Sequence, residues 1–333
     1  MKAQRILLAS RPAGMPTLSN FTFKEIELPN LKPGQVMVQT LYLSVDPYMR
    51  GRMNDQKSYV PPYAVGEVIE GGVIGRILAS ESSQYQAGDL VLGSYGWQTH
   101  AVVNENQIRP AYTGGAPVTT ALGLLGMPGL TAYFGLLAIG KPQTGETVVV
   151  SGAAGAVGMV AGQIAKLKGA RVVGIAGTQQ KCEHLVTELG FDAAVNYRDA
   201  DFHGALRRAT AAGVDVYFDN VGGPVSDAVL ARINKGARIP LCGQISLYNS
   251  ETVEYGPRIQ ALLLINSALM QGFIVSNFAD QFGAGIKELA GWISAGKMKY
   301  EETVVNGFDH TVDAFLQLFT GGNLGKMLVK VAD

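Results

Sequence analysis

From Met1 to about Pro110, apolar and β-branched residues alternate with polar ones in short runs, at 4–9, 21–28, 36–43, 66–77, 90–94 and 99–103. A period of two predicts strands, and Pro29-Asn30, Lys32-Pro33-Gly34, Gly71-Gly72 and Ala87-Gly88-Asp89 supply the turns between them. Many short strands without long helices predict a small, irregular β-barrel or folded sheet. The period then changes. Residues 121–139 have helical character through Leu122, Leu125, Leu130, Tyr133, Phe134 and Leu137, with a break expected at Pro128-Gly129. Strands and helices alternate after that: strand 147–151, helix 157–167, strand 172–176, helix 181–189, strand 193–197, helix 204–211, strand 214–219, helix 226–233, and strands 237–242 and 272–276. Such alternation predicts a parallel sheet with helices on both faces. Helices at 283–294 and 311–319 and a closing strand at 326–331 complete the chain.

The informative junction lies between the first strand and first helix of the alternating part, Gly152-Ala153-Ala154-Gly155-Ala156-Val157-Gly158. A β-branched run stops there at small residues. Beyond it Val157, Val160, Ala161, Ile164 and Leu167 recur on one helical face. Strand, glycine turn, helix and strand within about thirty residues form the βαβ unit that binds a dinucleotide. Gly155 lets backbone approach a pyrophosphate, Gly158 lets helix and strand pack closely, and the helix N-terminus offers N–H groups to the phosphates. Ala153 stands where the usual pattern has its first glycine, so the match is AxGxxG.

The second strand of that unit runs into Ala176-Gly177-Thr178-Gln179-Gln180-Lys181. An NAD-specific site would carry an acidic residue here for the ribose 2′-hydroxyl. A neutral loop with Lys181, and with the hydroxyl of Thr178, suits a 2′-phosphate instead, so NADPH/NADP is the expected cofactor.

Composition narrows the classes further. The chain has 333 residues, enough for about two domains. Lys+Arg and Asp+Glu both number 27, which argues against a nucleic-acid partner. The apolar start at Met1–Leu8 is too short for a signal peptide core, and no uninterrupted apolar run reaches spanning length. No membrane partner and a cytoplasmic location are therefore expected. His100, His184, His203 and His310 are scattered, and Cys182 and Cys242 have no ligand at catalytic-zinc spacing, so no metal is expected. A nucleophile elbow is also lacking, because the phosphate loop occupies the strand-to-helix turn. The remaining proton donors near candidate active-site loops are Tyr48, Tyr248 and Tyr255. A tyrosine is a poor base at neutral pH but a good donor to a developing enolate oxygen. Tyr48 stands out because it follows the turn at Asp46-Pro47, in a stretch rich in hydrogen-bond donors.

Taken together the chain resembles the medium-chain dehydrogenase/reductase superfamily, in its zinc-independent group of NADP-dependent alkenal/one oxidoreductases, which holds prostaglandin reductases, plant double-bond reductases and bacterial curcumin reductase. The most specific stretches are residues 44–53 (Ser44-Val45-Asp46-Pro47-Tyr48-Met49-Arg50-Gly51-Arg52-Met53), 126–133, the phosphate loop, Phe218-Asp219-Asn220-Val221-Gly222-Gly223, 242–249 and Gly322-Asn323-Leu324-Gly325-Lys326. The resemblance implies an α/β protein, a Rossmann doubly wound parallel sheet plus a GroES-like β-rich substrate domain. The β-rich domain would be split: 1–120, then the cofactor domain 121–295, then a return at 296–333. Gly155, Ala156, Val157 and Gly158 would hold the pyrophosphate, Lys181 and Tyr197 the 2′-phosphate end, and Asn220 the ribose region. Cys242, Gly243, Tyr248, Phe273, Ile274, Val275 and Asn323 would line the nicotinamide half, with Met127 and Thr131 beside them.

The implied reaction is hydride transfer to the β-carbon of an α,β-unsaturated aldehyde or ketone. Tyr48 would stabilise the carbonyl oxygen and Tyr255 would cover the substrate. A homodimer through an edge strand at 272–276 is a further expectation. Ser276-Asn277-Phe278 departs from relatives that carry an aromatic and a basic residue there, which leaves the substrate rim and dimer contact less defined. The rival readings are a quinone reductase of the same superfamily, against which the Asp-Pro-Tyr-Met-Arg loop argues, and a non-catalytic NADPH-binding protein.

Overall fold

The structure, a computed structural model, describes residues 1–111 and 113–333. In chain order the first elements are β1 (Lys2–Leu8), β2 (Phe21–Glu27), β3 (Gln35–Ser44), the short helix α1 (Tyr48–Arg52), β4 (Val73–Ser80), β5 (Leu90–Gly93), β6 (His100–Asn104) and β7 (Ile108–Pro110). There follow α2 (Met127–Phe134), β8 (Thr147–Ser151), α3 (Gly158–Leu167), β9 (Arg171–Ala176), α4 (Gln179–Thr187), β10 (Ala193–Asn196), α5 (Phe202–Ala209), β11 (Val214–Phe218), α6 (Gly223–Leu230) and β12 (Ile233–Leu241). The chain ends with α7 (Gln260–Ile265), β13 (Leu269–Gly272), α8 (Phe282–Ser294), β14 (Glu302–Asn306), α9 (Thr311–Thr320) and β15 (Lys326–Lys330).

Two compact units result. One contains Met1–Leu122, Glu302–Asn323 and Met327–Asp333; the other contains Gly123–Glu301 and Leu324–Lys326. The first unit is β-rich. β1 and β2 pair antiparallel, and a second sheet runs β14-β15-β3-β4-β5-β7, with β6 also on β3. Its core gathers Ile6, Leu43, Met49, Trp97 and Phe315. The fully buried Trp97 ring lies 6.1 Å from Phe21 and 5.6 Å from Phe315. The strand expected at 66–77 begins only at Val73, because the residues ahead of it bond to β1 instead: Leu8 N donates to Glu67 O at 3.0 Å and Ile69 N to Ile6 O at 3.2 Å.

The second unit is a parallel sheet in the order β10-β9-β8-β11-β12-β13. The order reverses between β8 and β11, the arrangement of a doubly wound Rossmann sheet with its ligand crevice at that switch point. All five residues of β8 are buried, as a strand covered on both faces requires. α3 approaches closely: a Cβ on its Gly162 would meet the Phe191 ring at 1.9 Å.

Several boundaries differ from the periodicity, each for a local reason. Pro128-Gly129 does not break a helix but starts one, because proline in the first turn of α2 leaves no N–H unmet there. α4 starts two residues early, since Thr178 Oγ1 accepts from Lys181 N at 3.2 Å and caps it. α6 starts at Gly223, after Gly222 turns the chain at φ +71°. The edge strand expected at 272–276 lies at Leu269–Gly272 instead. Ile274 N donates to Asn277 Oδ1 at 2.9 Å, which winds the following residues into a 3₁₀ turn.

Candidate functional site

The phosphate loop leaves β8 at Gly152, whose φ of +59° only glycine takes readily. Ala153 N donates to Ile175 O at 3.0 Å, and Gly155 N returns to Gly152 O at 3.0 Å, which fixes the loop against β9. The two later glycines have different constraints. A Cβ at Gly158 would strike Gly152 O at 2.3 Å and Ala153 Cα at 2.7 Å, whereas at Gly155 it would meet only Gly152 O at 3.3 Å. Gly158 is required by packing; Gly155 leaves a concave backbone surface. Ala156 and Val157 complete the turn, and no side chain caps α3, so its N-terminal end is unobstructed by any cap of its own. A residue from far along the chain braces this loop: Gly325 N donates to Ala154 O at 2.8 Å. Gly325 has φ +68°, and a Cβ there would overlap Glu301 O at 1.9 Å.

At the ends of β9 and β10 three of the expected cofactor residues come together. The Tyr197 ring flanks Gly177, with 3.0 Å from its hydroxyl to a Cβ built there, next to Thr178 and Lys181. Burial, and then the positive charge of Arg198, push the Lys181 ammonium below the usual lysine range. The Arg198 guanidinium in turn lies 5.6 Å from the Tyr197 ring centroid. Two cations within electrostatic reach of one another, beside a phenol and a threonine, form a ready anion site.

On the other side of the switch point a cavity of about 410 Å³ opens at the ends of β12 and β13. Of the expected nicotinamide residues, Cys242, Gly243, Tyr248, Phe273 and Ile274 line it, joined by Gln244 and Asn277. Phe273 is buried and packs edge-on to Phe218 at 6.3 Å. Burial and the nearby Asp219 push the Cys242 thiol up to about 12, and burial raises the Tyr248 hydroxyl too. The ionisable groups on this wall are neutral at physiological pH. Val275 opens the 3₁₀ turn and is not part of the lining. Met127 and Thr131 lie one turn apart on α2, where Thr131 Oγ1 donates to Met127 O at 2.7 Å.

Asn220 follows β11. Its side-chain nitrogen donates to Ser151 O at 2.7 Å, which fixes the amide orientation and leaves Oδ1 as an acceptor. Tyr48 and Asn323 belong to the first unit and Tyr255 to the second. Tyr48 begins α1, half-buried; burial, then the charge of Asp46, raise its hydroxyl well above the usual tyrosine range. Arg52 organises its surroundings, with its guanidinium 4.0 Å from the Tyr63 ring centroid and 2.8 Å from Glu70. Tyr255 is 97% exposed and is not among the cavity residues.

Sequence reasoning missed Arg198, Asp219 with Ser151, and the bracing role of Gly325. Arg198 carried a signal, since it directly follows Tyr197 at the end of a predicted strand. The others depend on partners 68 or more positions away. Among the described residues, no group of three or more His, Cys, Asp or Glu could hold a metal ion, and no helix is long and apolar enough to cross a membrane.

Two family profiles match the chain: an N-terminal domain of oxidoreductases over residues 4–111, and a domain described as zinc-binding dehydrogenase over residues 156–291. The chain is 56% identical to the Bacillus subtilis protein YfmJ, provisionally named an NADP-dependent oxidoreductase, over 99% of this chain and 98% of that one. It is 42% identical to the NADPH-dependent curcumin reductase of Escherichia coli, over 99% and 97% of the two chains. The crystal structure of CurA from Vibrio vulnificus in complex with NADPH superposes with a TM-score of 0.95, at 43% identity and over 99% of each chain. With the reversed sheet, the glycine loop and these matches together, the chain belongs to the medium-chain dehydrogenase/reductase superfamily, in its group of NADP-dependent alkenal/one oxidoreductases.

Proposed function

We propose that this protein uses NADPH to reduce the carbon–carbon double bond of α,β-unsaturated aldehydes and ketones without a metal. The observation that carries the reading is the contrast in charge along the crevice. One end holds a cation pair, Lys181 and Arg198, where an NAD site would carry an acid; the other is a neutral cavity. The residues fit the cofactor: Gly155 to Gly158 offer the backbone cradle that a pyrophosphate needs, and Thr178, Lys181, Arg198 and Tyr197 suit a 2′-phosphate. The names of the curcumin reductase and of the NADPH complex of CurA point the same way.

When bound, NADPH supplies the hydride for the substrate β-carbon. The chain's own residues have three tasks. Asn220 Oδ1 accepts from a cofactor hydroxyl, and Phe273, Ile274 and Tyr248 wall the nicotinamide end. Tyr48 donates its hydroxyl proton in a hydrogen bond to the carbonyl oxygen, where negative charge develops, and it stays protonated because its environment disfavours the phenolate. Tyr255 covers the substrate from outside, and Met127, Thr131 and Asn323 complete the surroundings of the nicotinamide half. Pairing of β13 edges between two copies would form a homodimer; exposed Leu264, Ile265 and Leu269 lie on or beside that edge.

The test follows absorbance loss of NADPH and NADH with 3-nonen-2-one and with a benzoquinone. Rapid NADPH oxidation with the enone is expected. Turnover with the quinone alone would overturn the substrate class, and equal rates with NADH would overturn the cofactor assignment.

A further inference from the structure

Asp219 ends β11 at 1% exposure, and donors converge on it from three directions. Oδ1 accepts from Ser151 Oγ at 2.9 Å, Tyr217 Oη at 2.8 Å, Val221 N at 3.0 Å and Gly222 N at 3.0 Å; Oδ2 accepts from Ser226 Oγ at 2.8 Å. Its backbone is equally engaged. Cys242 N and Gly243 N both donate to Asp219 O, at 2.8 and 3.1 Å, and Asp219 N donates to Pro240 O at 3.0 Å. One residue thus joins the C-terminal ends of β8, β11 and β12 to the start of α6.

These bonds reach the cofactor-facing groups by a short relay. Asn220 N donates to Ser151 Oγ at 3.0 Å, and that hydroxyl in turn donates a hydrogen bond to Asp219 Oδ1 at 2.9 Å. The Asn220 amide is then held on Ser151 O. The two residues that open the cavity wall, Cys242 and Gly243, hang from the Asp219 carbonyl. None of the partners lies at the ends of β9 or β10, where the cation pair stands. The neutral half of the crevice is therefore tied to Asp219 and the charged half is not.

We propose that Asp219 is the positioning residue for the nicotinamide half of the cofactor, acting through Ser151, Asn220 and the Cys242–Gly243 backbone. The proposal rests on the reading that this unit binds NADPH. It goes beyond that reading by making the two halves of the cofactor site energetically separable, with a buried carboxylate as the keystone of one. Burying such a group is favourable only when its acceptor sites are filled, so weakening the network loosens everything suspended from it.

Asp219→Asn tests this. It keeps the shape, but charge-assisted hydrogen bonds become neutral ones of about half the strength. Calorimetric titrations with NADPH and with 2′,5′-ADP, which spans only the adenosine end, separate the halves. NADPH affinity is expected to fall about tenfold, with 2′,5′-ADP binding within about twofold of wild type. NADPH stereospecifically deuterated at C4 adds a second readout: the variant should lose its preference for one of the two C4 hydrogens. Parallel weakening of both ligands, or no change in NADPH affinity, would overturn the proposal. Should the variant not fold, Ser151→Ala breaks the same relay at its hydroxyl and must show the same split. The titrations contain no enone, so they read Asp219 even where the assay for the reaction fails. A wild-type protein that binds neither ligand would overturn both the cofactor reading and this proposal.

Discussion

The two ends of the crevice in the parallel-sheet unit are built on opposite principles. At the β9–β10 end, the proposed recognition rests on partly exposed charge, with Lys181, Arg198 and the half-exposed Tyr197 close together. At the β11–β13 end it rests on shape and fixed dipoles, with a neutral wall hung from the buried Asp219. The difference separates two questions. On the proposed reading, charge selects the dinucleotide, and the neutral, hydrogen-bonded end holds its reactive ring.

The strongest way to break this comparison is within the phosphate loop that both ends share. Gly158→Ala should cost about 1–3 kcal/mol of stability and abolish measurable NADPH binding, because its Cβ meets backbone at 2.3 Å. Gly155→Ala should leave the melting temperature nearly unchanged while weakening NADPH binding. Thermal melts and titrations on the pair check it, and equal destabilisation would mean that the two glycines share one role. Next, Lys181→Glu should raise the KM for NADPH roughly 100-fold, the scale of losing and then opposing a charged hydrogen bond, with the NADH value nearly unmoved. An equal rise for NADH would mean that Lys181 serves the fold and not the phosphate.

The proposed donor role of Tyr48 is tested by Tyr48→Phe. Loss of its hydroxyl should lower kcat about 10–100-fold with NADPH affinity retained. Because the Tyr48 hydroxyl is raised, it remains a proton donor as pH increases, so kcat should show no tyrosine-type decline up to about pH 10. A decline centred well below pH 10 and absent from Tyr48→Phe would contradict the raised hydroxyl. The smallest effect is at Cys242. Burial and the nearby Asp219 push its thiol up to about 12, so it stays protonated near neutral pH and iodoacetamide should leave activity almost intact. Fast inactivation that NADPH prevents would show an ionised thiol.

The same contrast governs what could be read from the residues alone. The β8–α3–β9 unit and the neutral loop ending at Lys181 are contiguous, so periodicity and glycine spacing exposed them. Tyr48 is put forward from its place beside the Asp46-Pro47 turn, and its role remains a proposal. The Asp219 network was not, because Ser151, Asp219 and Cys242 meet only when strands distant in sequence align in the sheet. Gly325 was hidden for a similar reason: its pairing with the phosphate loop joins residues on opposite sides of the whole α/β segment. Pro128 misled because proline both stops a helix and starts one, and here it falls in the first turn of α2, where it leaves no N–H unmet.

The most direct test of the central claim is where the transferred hydrogen arrives. NADPH deuterated at C4, mixed with the protein and 3-nonen-2-one, should yield saturated 2-nonanone with deuterium at C4, the former β-carbon, by NMR. Deuterium on the carbonyl carbon of an unsaturated alcohol would mean ketone reduction and would contradict the account.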